Sequence, residues 1–385
     1  MAQHVVDLRA QRSRTFAERL RRIDVVLIAS TLVVAAAGVV IVYSATRDQL
    51  AAAGYSPHYY LERQAMFVLV GALVMGAIAW IDLQRIEDWA ALLYVGLLVA
   101  LVAVKLPGIG SSQLGSQRWF QLGPVQVQPS AFAAPILVIV VAAYLGRSAE
   151  RRGEVLTLRR LGVALGLVAL PLALVVVQPD LGSGIVIGVS LIAVLVVAGT
   201  RFSHIALLFL LAALGIFAII HLHLLHQYQL NRLTSFLHQA KQYNLVQSKD
   251  TIGSGGIFGT GLFKGPQTNY AYVPEQQTDF IFTAVGEQLG FIGAAGLLSV
   301  LGLITWRLLR AAQRATDPFS RLVCAGVLAI VAFSVFENVG MTMGLMPIAG
   351  IPLPFVSYGG SAAVSFFAAV GLALNVQYRL ARRSS

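Results

Sequence analysis

The residues best suited to chemistry lie at 274–280, where Glu275, Thr278 and Asp279 precede a nearly continuous apolar run at 280–306. A carboxylate at the border of a membrane-spanning segment is energetically costly, so its presence there indicates a function. Asp279 is therefore a candidate catalytic residue. The alternative is that Asp279 only caps the N-terminus of the helix that follows it.

Glycines crowd the segment just before this stretch. They are too frequent for a helix or strand interior and favour backbone that turns sharply or approaches a ligand closely. These glycines are Gly253, Gly255, Gly256, Gly259, Gly261 and Gly265.

The composition indicates a membrane protein. Of the 385 residues, 57% are hydrophobic and 12% are charged, and the mean hydropathy is +0.76. These values exclude the soluble globular and the disordered classes. The net charge of +11 does not indicate a nucleic-acid partner, because the cations are scattered along the chain and form no single basic patch. The single cysteine, Cys324, excludes an intramolecular disulfide.

Ten apolar runs are long enough to cross a bilayer, which takes about 20 helical residues. The sequence therefore predicts an all-α integral membrane protein with ten transmembrane helices and a large extracytoplasmic loop, 223–279, between helices 7 and 8. The polar breaks at 178–183 and 200–203 could instead be kinks. The runs are 23–45, 64–83, 88–106, 131–147, 160–178, 183–200, 203–222, 280–306, 320–345 and 355–378.

The distribution of cations predicts the topology. If the N-terminus is cytoplasmic, 20 of the 28 Lys and Arg residues fall on the cytoplasmic side. The positive-inside rule then places both termini in the cytoplasm. We expect a basic N-terminal segment at 1–22 with an uncleaved first helix, one membrane domain at 23–378, and a cytoplasmic tail at 379–385.

Four polar or Pro/Gly-rich segments fall on the opposite side, at 107–130, 178–182, 223–279 and 347–360. Irregular backbone at membrane depth is tolerated only where protein buries it or water reaches it. These segments therefore predict a cavity that opens outward. Arg63 and Arg118 lie beside aromatic residues on that side and, with other outer cations, could hold an anionic lipid headgroup.

An ordered series of motifs resembles the SEDS family (shape, elongation, division and sporulation) from about residue 25 to 380. The similarity is greatest to its elongation branch, RodA, with the division branch, FtsW, as the alternative. The motifs are Tyr43-Ser44-Ala45, Arg63-Gln64, Gln117-Arg118-Trp119, Gln128-Pro129-Ser130, Gln178-Pro179-Asp180-Leu181-Gly182, Tyr228-Gln229 with Arg232, Ile252-Gly253-Ser254-Gly255-Gly256, Pro274-Glu275-Gln276-Gln277-Thr278-Asp279-Phe280, Asn338-Val339-Gly340 and 350–361.

The resemblance implies a peptidoglycan polymerase of the bacterial cytoplasmic membrane that uses the lipid-linked disaccharide lipid II in cell elongation. It also implies a class B penicillin-binding protein as partner, together with other membrane proteins of the elongation machinery. Asp279 would be the catalytic base, and Mg²⁺ or Mn²⁺ could assist. The candidate substrate-binding residues are Arg63, Arg118, Trp119, Asp180, Gln229, Arg232, Lys249, Glu275, Thr278 and Ser357.

The chain departs from the family pattern at two positions. After Gln-Pro-Ser the family usually has a Glu and, three residues later, a Lys, whereas this chain has Ala131 and Ala134. Because both partners of the pair are absent together, no uncompensated charge is left in the protein. The departure keeps open the alternative that the chain is an inactive scaffold for a penicillin-binding protein. A lipid II flippase or other transporter is a second alternative, because it would also have ten helices, a polar cavity and basic residues.

Overall fold

The computed structural model describes residues 24–113, 116–123, 125–149, 156–221 and 243–383. The helices are α1 (Val25–Ala52), α2 (Tyr59–Trp80), α3 (Leu83–Asp88), α4 (Ala90–Ala103), α5 (Ala133–Ala149), α6 (Leu158–Val177), α7 (Leu181–Val197), α8 (Phe202–His221), α9 (Tyr243–Ser254), α10 (Pro266–Asn269), α11 (Ile281–Arg314), α12 (Pro318–Thr342) and α13 (Gly360–Arg383). A 3₁₀ helix, Pro129–Phe132, precedes α5.

Seven of these helical segments are long and apolar enough to cross a membrane, and α4, α7 and the first half of α8 are shorter apolar helices. Each of them overlaps one of the apolar runs in the sequence. The protein is therefore a mostly helical, multi-pass membrane protein, as the sequence predicts.

Some helices extend beyond their apolar runs. Helix α1 continues to Ala52 and α2 begins at Tyr59, so that polar residues outside the apolar runs are also helical. A helix satisfies its own backbone groups in water as well as in lipid, so hydropathy alone does not mark where it stops. The breaks near 178–183 and 200–203 separate distinct helices and are not kinks.

The all-α prediction is wrong for residues 110–113, 116–122 and 125–127, which form a three-stranded antiparallel sheet. Strand β2 (Ser116–Leu122) lies between β1 (Gly110–Gln113) and β3 (Val125–Val127). Phe120 pairs with Gly110 on one side and Val127 on the other. The strands are short and rich in Ser and Gln, so they lack the apolar alternation that predicts a half-buried sheet.

Helix α12 is the centre of the bundle, since it packs against α5, α7, α11 and α13. Helix α13 packs along α2, and glycine lets the two backbones approach each other. A Cβ at Gly371 would lie 2.8 Å from the main-chain oxygen of Met75. Small residues at helix contacts are typical of membrane bundles, where close packing stabilises helix association.

Candidate active site

One cavity of about 620 Å³ lies between the helix ends, the sheet and the Pro/Gly-rich loop before α13. All four outer segments predicted to border a cavity contribute to its wall. Seven of the candidate site residues from the sequence line it. These are Arg63, Arg118, Trp119, Asp180, Glu275, Thr278 and Asp279.

The loop that carries Asp279 is held from three sides. Gln276 is buried and donates hydrogen bonds to the hydroxyls of Thr268 and Thr283. The main-chain oxygen of Gln277 accepts from the amide of Tyr358 at 2.8 Å. On the third side, the Nδ2 of Asn338 donates to the main-chain oxygen of Asp279 at 2.8 Å. These contacts fix the backbone of the loop while the carboxylate of Asp279 lies on the cavity wall.

Glu275 also helps to fix the backbone conformation of this loop. Its φ of 51° is in the left-handed region, which non-glycine residues seldom occupy. Its main-chain oxygen accepts the amides of both Thr278 and Asp279 at 3.2 Å. Such conformations cluster at functional sites because the surrounding structure must hold them in place.

Asp279 lies one residue before the N-cap of α11. The helix begins at Ile281, so that Phe280 occupies the N-cap position. The carboxylate of Asp279 lies over Gly350, where a Cβ would be 3.3 Å from Oδ2. Asp279 therefore does not occupy the N-cap position, and its carboxylate borders the cavity.

Asp180 is both a helix cap and part of the cavity wall. Its Oδ1 accepts the amide of Ser183 at 3.2 Å, at the N-cap of α7. Its Oδ2 accepts from the hydroxyl of Ser130 at 2.6 Å, the hydroxyl of Ser183 at 2.8 Å and the Nε2 of Gln128 at 2.9 Å. All of these donors are neutral. Because they come from both segments, the carboxylate holds the start of α7 to the segment that leads into α5.

The two cavity arginines are associated with aromatic rings. The guanidinium carbon of Arg63 lies 4.2 Å from the ring centroid of Tyr59, and that of Arg118 lies 5.9 Å from the ring of Trp119. Arg63 also forms a hydrogen bond with Tyr358. The planar N–H groups of a guanidinium match the geometry of phosphate and carboxylate oxygens.

Tyr358 lies in the loop before α13, and its ring packs edge-on against Tyr60 at a centroid distance of 4.7 Å. Burial raises the pKa of its hydroxyl above the ordinary tyrosine value, although the neighbouring Arg63 lowers it. The hydroxyl therefore stays protonated at neutral pH and can donate a hydrogen bond within the cavity.

Ala131 and Ala134, the two positions that depart from the family pattern, both line the cavity. The main-chain oxygen of Ala131 accepts a hydrogen bond from the hydroxyl of Ser365 at 2.6 Å. Val186 and Ile330 belong to the same cavity wall. Side chains longer than alanine at 131 and 134 would therefore enter the cavity.

The remaining candidates lie elsewhere. Ser357 is buried beside the cavity, where its hydroxyl accepts the amide of Leu353. Lys249 is exposed on α9 and lies against Gly344. Gln229 and Arg232 fall outside the described residues, so the structure does not place them.

Several polar residues of the cavity were not among the site candidates from the sequence. Gln128 and Ser130 could have been found, because they belong to a recognised motif, but Ser334 and Ser365 lie within apolar helices with no local signal. The full set of additional polar residues is Tyr59, Tyr60, Gln121, Gln126, Gln128, Ser130, Ser183, Gln277, Ser334, Tyr358, Ser361 and Ser365.

The cavity offers limited ligands for a divalent cation. Among the described residues, no group of three or more His, Cys, Asp or Glu side chains could hold a metal ion. Mg²⁺ in phosphoryl sites is commonly held by one or two carboxylates together with substrate phosphates. The carboxylate of Glu275 lines the cavity and fits that arrangement. The oxygens of Asp180 accept four hydrogen bonds from the protein.

Comparison with known proteins extends over nearly the whole chain. The profile of the FtsW/RodA/SpoVE family, described as a cell cycle protein, matches residues 24–382. Stage V sporulation protein E of Bacillus subtilis is 34% identical over 359 residues, covering 92% of this chain and 96% of that protein. Peptidoglycan glycosyltransferase MrdB of Escherichia coli K12 is 36% identical over 321 residues, covering 82% and 85%.

A solved structure supports the same relationship at the level of the fold. It comes from work on the structural coordination of polymerization and crosslinking by a peptidoglycan synthase complex. The two structures superpose with a TM-score of 0.76 and 28% sequence identity, covering 93% of this chain and 98% of the other. The chain therefore belongs to the FtsW/RodA/SpoVE family of cell cycle proteins, the SEDS family.

Proposed function

We propose that this protein is a peptidoglycan glycosyltransferase that polymerises lipid II in cell elongation. The observation that carries the proposal is the position of Asp279 on the wall of a cavity that also contains Arg63 and Arg118. A base and phosphate-binding cations are the groups that glycosyl transfer from a lipid pyrophosphate needs. The relative from E. coli, a peptidoglycan glycosyltransferase, supports the proposal.

In the proposed reaction, the 4-hydroxyl of one lipid-linked disaccharide attacks the anomeric carbon of another. The new oxygen–carbon bond forms as the bond from the anomeric carbon to the pyrophosphate breaks, with inversion of configuration. Asp279 takes the hydroxyl proton, a role that contributes about 10²–10⁴-fold in rate for a positioned base. The undecaprenyl pyrophosphate leaves with the electron pair of the broken bond.

The departing pyrophosphate needs positive charge. Arg63 and Arg118 both line the cavity and can bind phosphate oxygens through two N–H groups at once. Arg232 is a third proposed contact on the evidence of its motif. Asp180 acts indirectly, since its hydrogen bonds to Gln128 and Ser130 hold the cavity wall in place.

We also propose that a divalent cation, Mg²⁺ or Mn²⁺, assists. Glu275 would hold it together with the pyrophosphate, which leaves the carboxylate of Asp279 to accept the hydroxyl proton, and the ion would supply additional charge stabilisation for the leaving group. A direct test is Mn²⁺ binding by the purified protein, followed by electron paramagnetic resonance with and without an undecaprenyl pyrophosphate analogue. Equal polymerisation in the presence and absence of excess chelator would contradict the proposal.

The proposed topology has ten transmembrane helices, with both termini in the cytoplasm and the cavity open to the outer side of the cytoplasmic membrane. Its support is the cation distribution, with 20 of 28 cations on the inner side. The proposed organisation is one membrane domain at 23–378, flanked by the basic segment 1–22 and the tail 379–385.

We propose a class B penicillin-binding protein as partner. The similar structure that comes from a synthase complex for polymerization and crosslinking supports this proposal. A polymerase that does not crosslink needs a transpeptidase to join its strands. Co-purification of this chain with the cognate transpeptidase tests the proposal, and failure of the two to associate in several detergents and in nanodiscs would count against it.

The experiment that tests the function is glycan polymerisation by the purified protein from lipid II, compared with Asp279→Ala. A polymerase makes glycan strands and Asp279→Ala does not. A flippase would move lipid II across a proteoliposome without forming strands, and a scaffold would do neither.

A further inference from the structure

Helix α11 is broken at Gly290, whose φ and ψ are 64° and −165°. The segment 255–262 docks at this break through its backbone. Four hydrogen bonds join the two: the amides of Thr260 and Gly261 donate to the main-chain oxygens of Glu287 and Gln288, and the amides of Phe291 and Ile292 donate to those of Gly256 and Ile257, at 2.9–3.2 Å.

Glycine makes this contact possible at two positions. Gly259 has a φ of 82°, and a Cβ there would overlap the main-chain oxygen of Gln288. A Cβ at Gly290 would overlap the amide nitrogen of Gly259. The segment and the helix therefore meet backbone to backbone, and the side chains of the segment point away from the contact.

At this contact, side chains of the segment and of the adjoining part of α11 are apolar and exposed. Phe258 is 81% exposed and Ile257 is 62% exposed, and next to them on α11 Phe291 is 70% and Ile292 is 55% exposed. An apolar patch of this kind on a soluble surface would be an interaction site. Here it continues the apolar surface of α11. Only 17% of the most apolar 18-residue stretch of this helix is buried in the protein.

The depth of the patch follows from the length of the helix. Trp306 with Arg310 stacked on it at 4.7 Å marks one membrane surface. Phe291 is fifteen residues away, which at 1.5 Å per residue is about 22 Å. Since the hydrocarbon core is about 30 Å thick, Phe291 and the segment bonded to it lie inside the core.

We propose that residues 255–262 form a re-entrant wedge whose side chains contact acyl chains in the leaflet opposite to Trp306. Backbone in hydrocarbon must be satisfied internally. Within the wedge, five amides donate to main-chain oxygens of the protein, those of Gly255, Gly256, Gly259, Thr260 and Gly261. Lys264, exposed at the end of the segment, can extend toward the lipid phosphates. The wedge places part of 223–279 within the membrane, although the sequence analysis assigned that whole segment to an extracytoplasmic loop.

The test is a nitroxide spin label at position 258, introduced as Phe258→Cys in a Cys324→Ser background. The matched control is Tyr270→Cys, because Tyr270 is 76% exposed and lies outside the docked segment. The full chain is reconstituted in phosphatidylcholine and phosphatidylglycerol vesicles. Collision rates with molecular oxygen, which partitions into hydrocarbon, are compared with those of a neutral nickel chelate, which stays in water.

We expect the label at 258 to collide more with oxygen than with nickel, and the label at 270 to show the reverse. A label at 258 that is as accessible to nickel as the label at 270 would overturn the wedge, and so would a label at 258 shielded from both reagents, since protein would then cover it. If Phe258→Cys does not elute as a folded, monodisperse protein, Ile257→Cys gives the same measurement. None of these outcomes depends on enzymatic activity, so they are independent of the proposed function.

Discussion

The side-chain amide of Asn338 donates one hydrogen bond to the main-chain oxygen of Asp279 and another to that of Ile351, both at 2.8 Å. Asn338 is fully buried in α12. It therefore joins the loop that carries the proposed base to the adjacent Pro/Gly-rich loop, which also lines the cavity.

Replacing Asn338 should lower activity through the position of Asp279. A displacement of about 1 Å at a reacting group can cost as much as 10²-fold in rate, so we expect Asn338→Ala to lower the polymerisation rate by about 10–100-fold while lipid II still binds. The measurements are kcat for polymer formation and lipid II affinity.

Asn375→Ala is the matched control. Asn375 is buried to the same degree and donates to the main-chain oxygens of Ile78 and Ile81, and none of these three residues lines the cavity. It should lower thermal stability to a similar degree without a comparable loss of rate. Equal loss of activity in the two variants would show that Asn338 acts only through stability.

Asp180→Asn tests the hydrogen-bond network that joins Asp180 to Gln128, Ser130 and Ser183. Asn has one acceptor oxygen in place of two and directs an N–H₂ at donors, so buried donors lose their partner at a cost of about 1–3 kcal/mol in unfolding free energy. Thermal unfolding in detergent is the measurement.

Asp317→Asn is its control, because Asp317 caps α12 with the same pair of contacts to a serine three residues on but does not line the cavity. We expect Asp180→Asn to be the more destabilising of the two and the one that lowers activity. Similar effects of both variants on stability and activity would show that Asp180 acts only as a helix cap.

The topology predicts the accessibility of Tyr243. This residue begins α9 and is 58% exposed. In a Cys324→Ser background, Tyr243→Cys should react with a membrane-impermeant thiol reagent in intact cells. Protection at 243, with labelling of a cysteine placed in segment 1–22, would show that the topology is the reverse of the proposed one.

The sequence predicted the membrane class and the position of the apolar helices because the hydrocarbon core imposes length and composition directly. It also indicated Asp279, since a carboxylate beside an apolar run is unusual, and it identified the four segments that surround the cavity. The resemblance was needed to assign chemistry to them.

Other features could not be predicted because they depend on contacts between distant parts of the chain. Asn338 and Asp279 are 59 residues apart, and Gln64 donates to the main-chain oxygen of Ser357 at a separation of 293 residues. The strand at Ser116–Leu122 forms by pairing on both edges, which its polar sequence does not signal. The break at Gly290 could not be predicted either, because it forms where the segment 255–262 docks, and hydrophobic periodicity does not reveal that contact.

Restoring the Glu–Lys pair should raise activity. Ala131 and Ala134 line the cavity three residues apart, so Ala131→Glu with Ala134→Lys places opposite charges within reach of each other and of the substrate. We expect the double variant to polymerise lipid II faster than the parent. Each single variant leaves one charge unpaired and should be less stable than the double variant; a double variant no faster than the parent would contradict the prediction.

The central claim is that Asp279 is the catalytic base. The most direct measurement is glycan polymer formation by Asp279→Asn, made in the background with Ala131→Glu and Ala134→Lys so that the missing pair does not obscure the result. Asn is nearly isosteric with Asp but cannot accept the hydroxyl proton. If Asp279 is the base, we expect unchanged expression, thermal stability and lipid II binding, with polymer formation reduced by at least about 100-fold, the low end for a general base. Polymer formation equal to that of the parent background would show that the carboxylate is structural and that Asp279 is not the base.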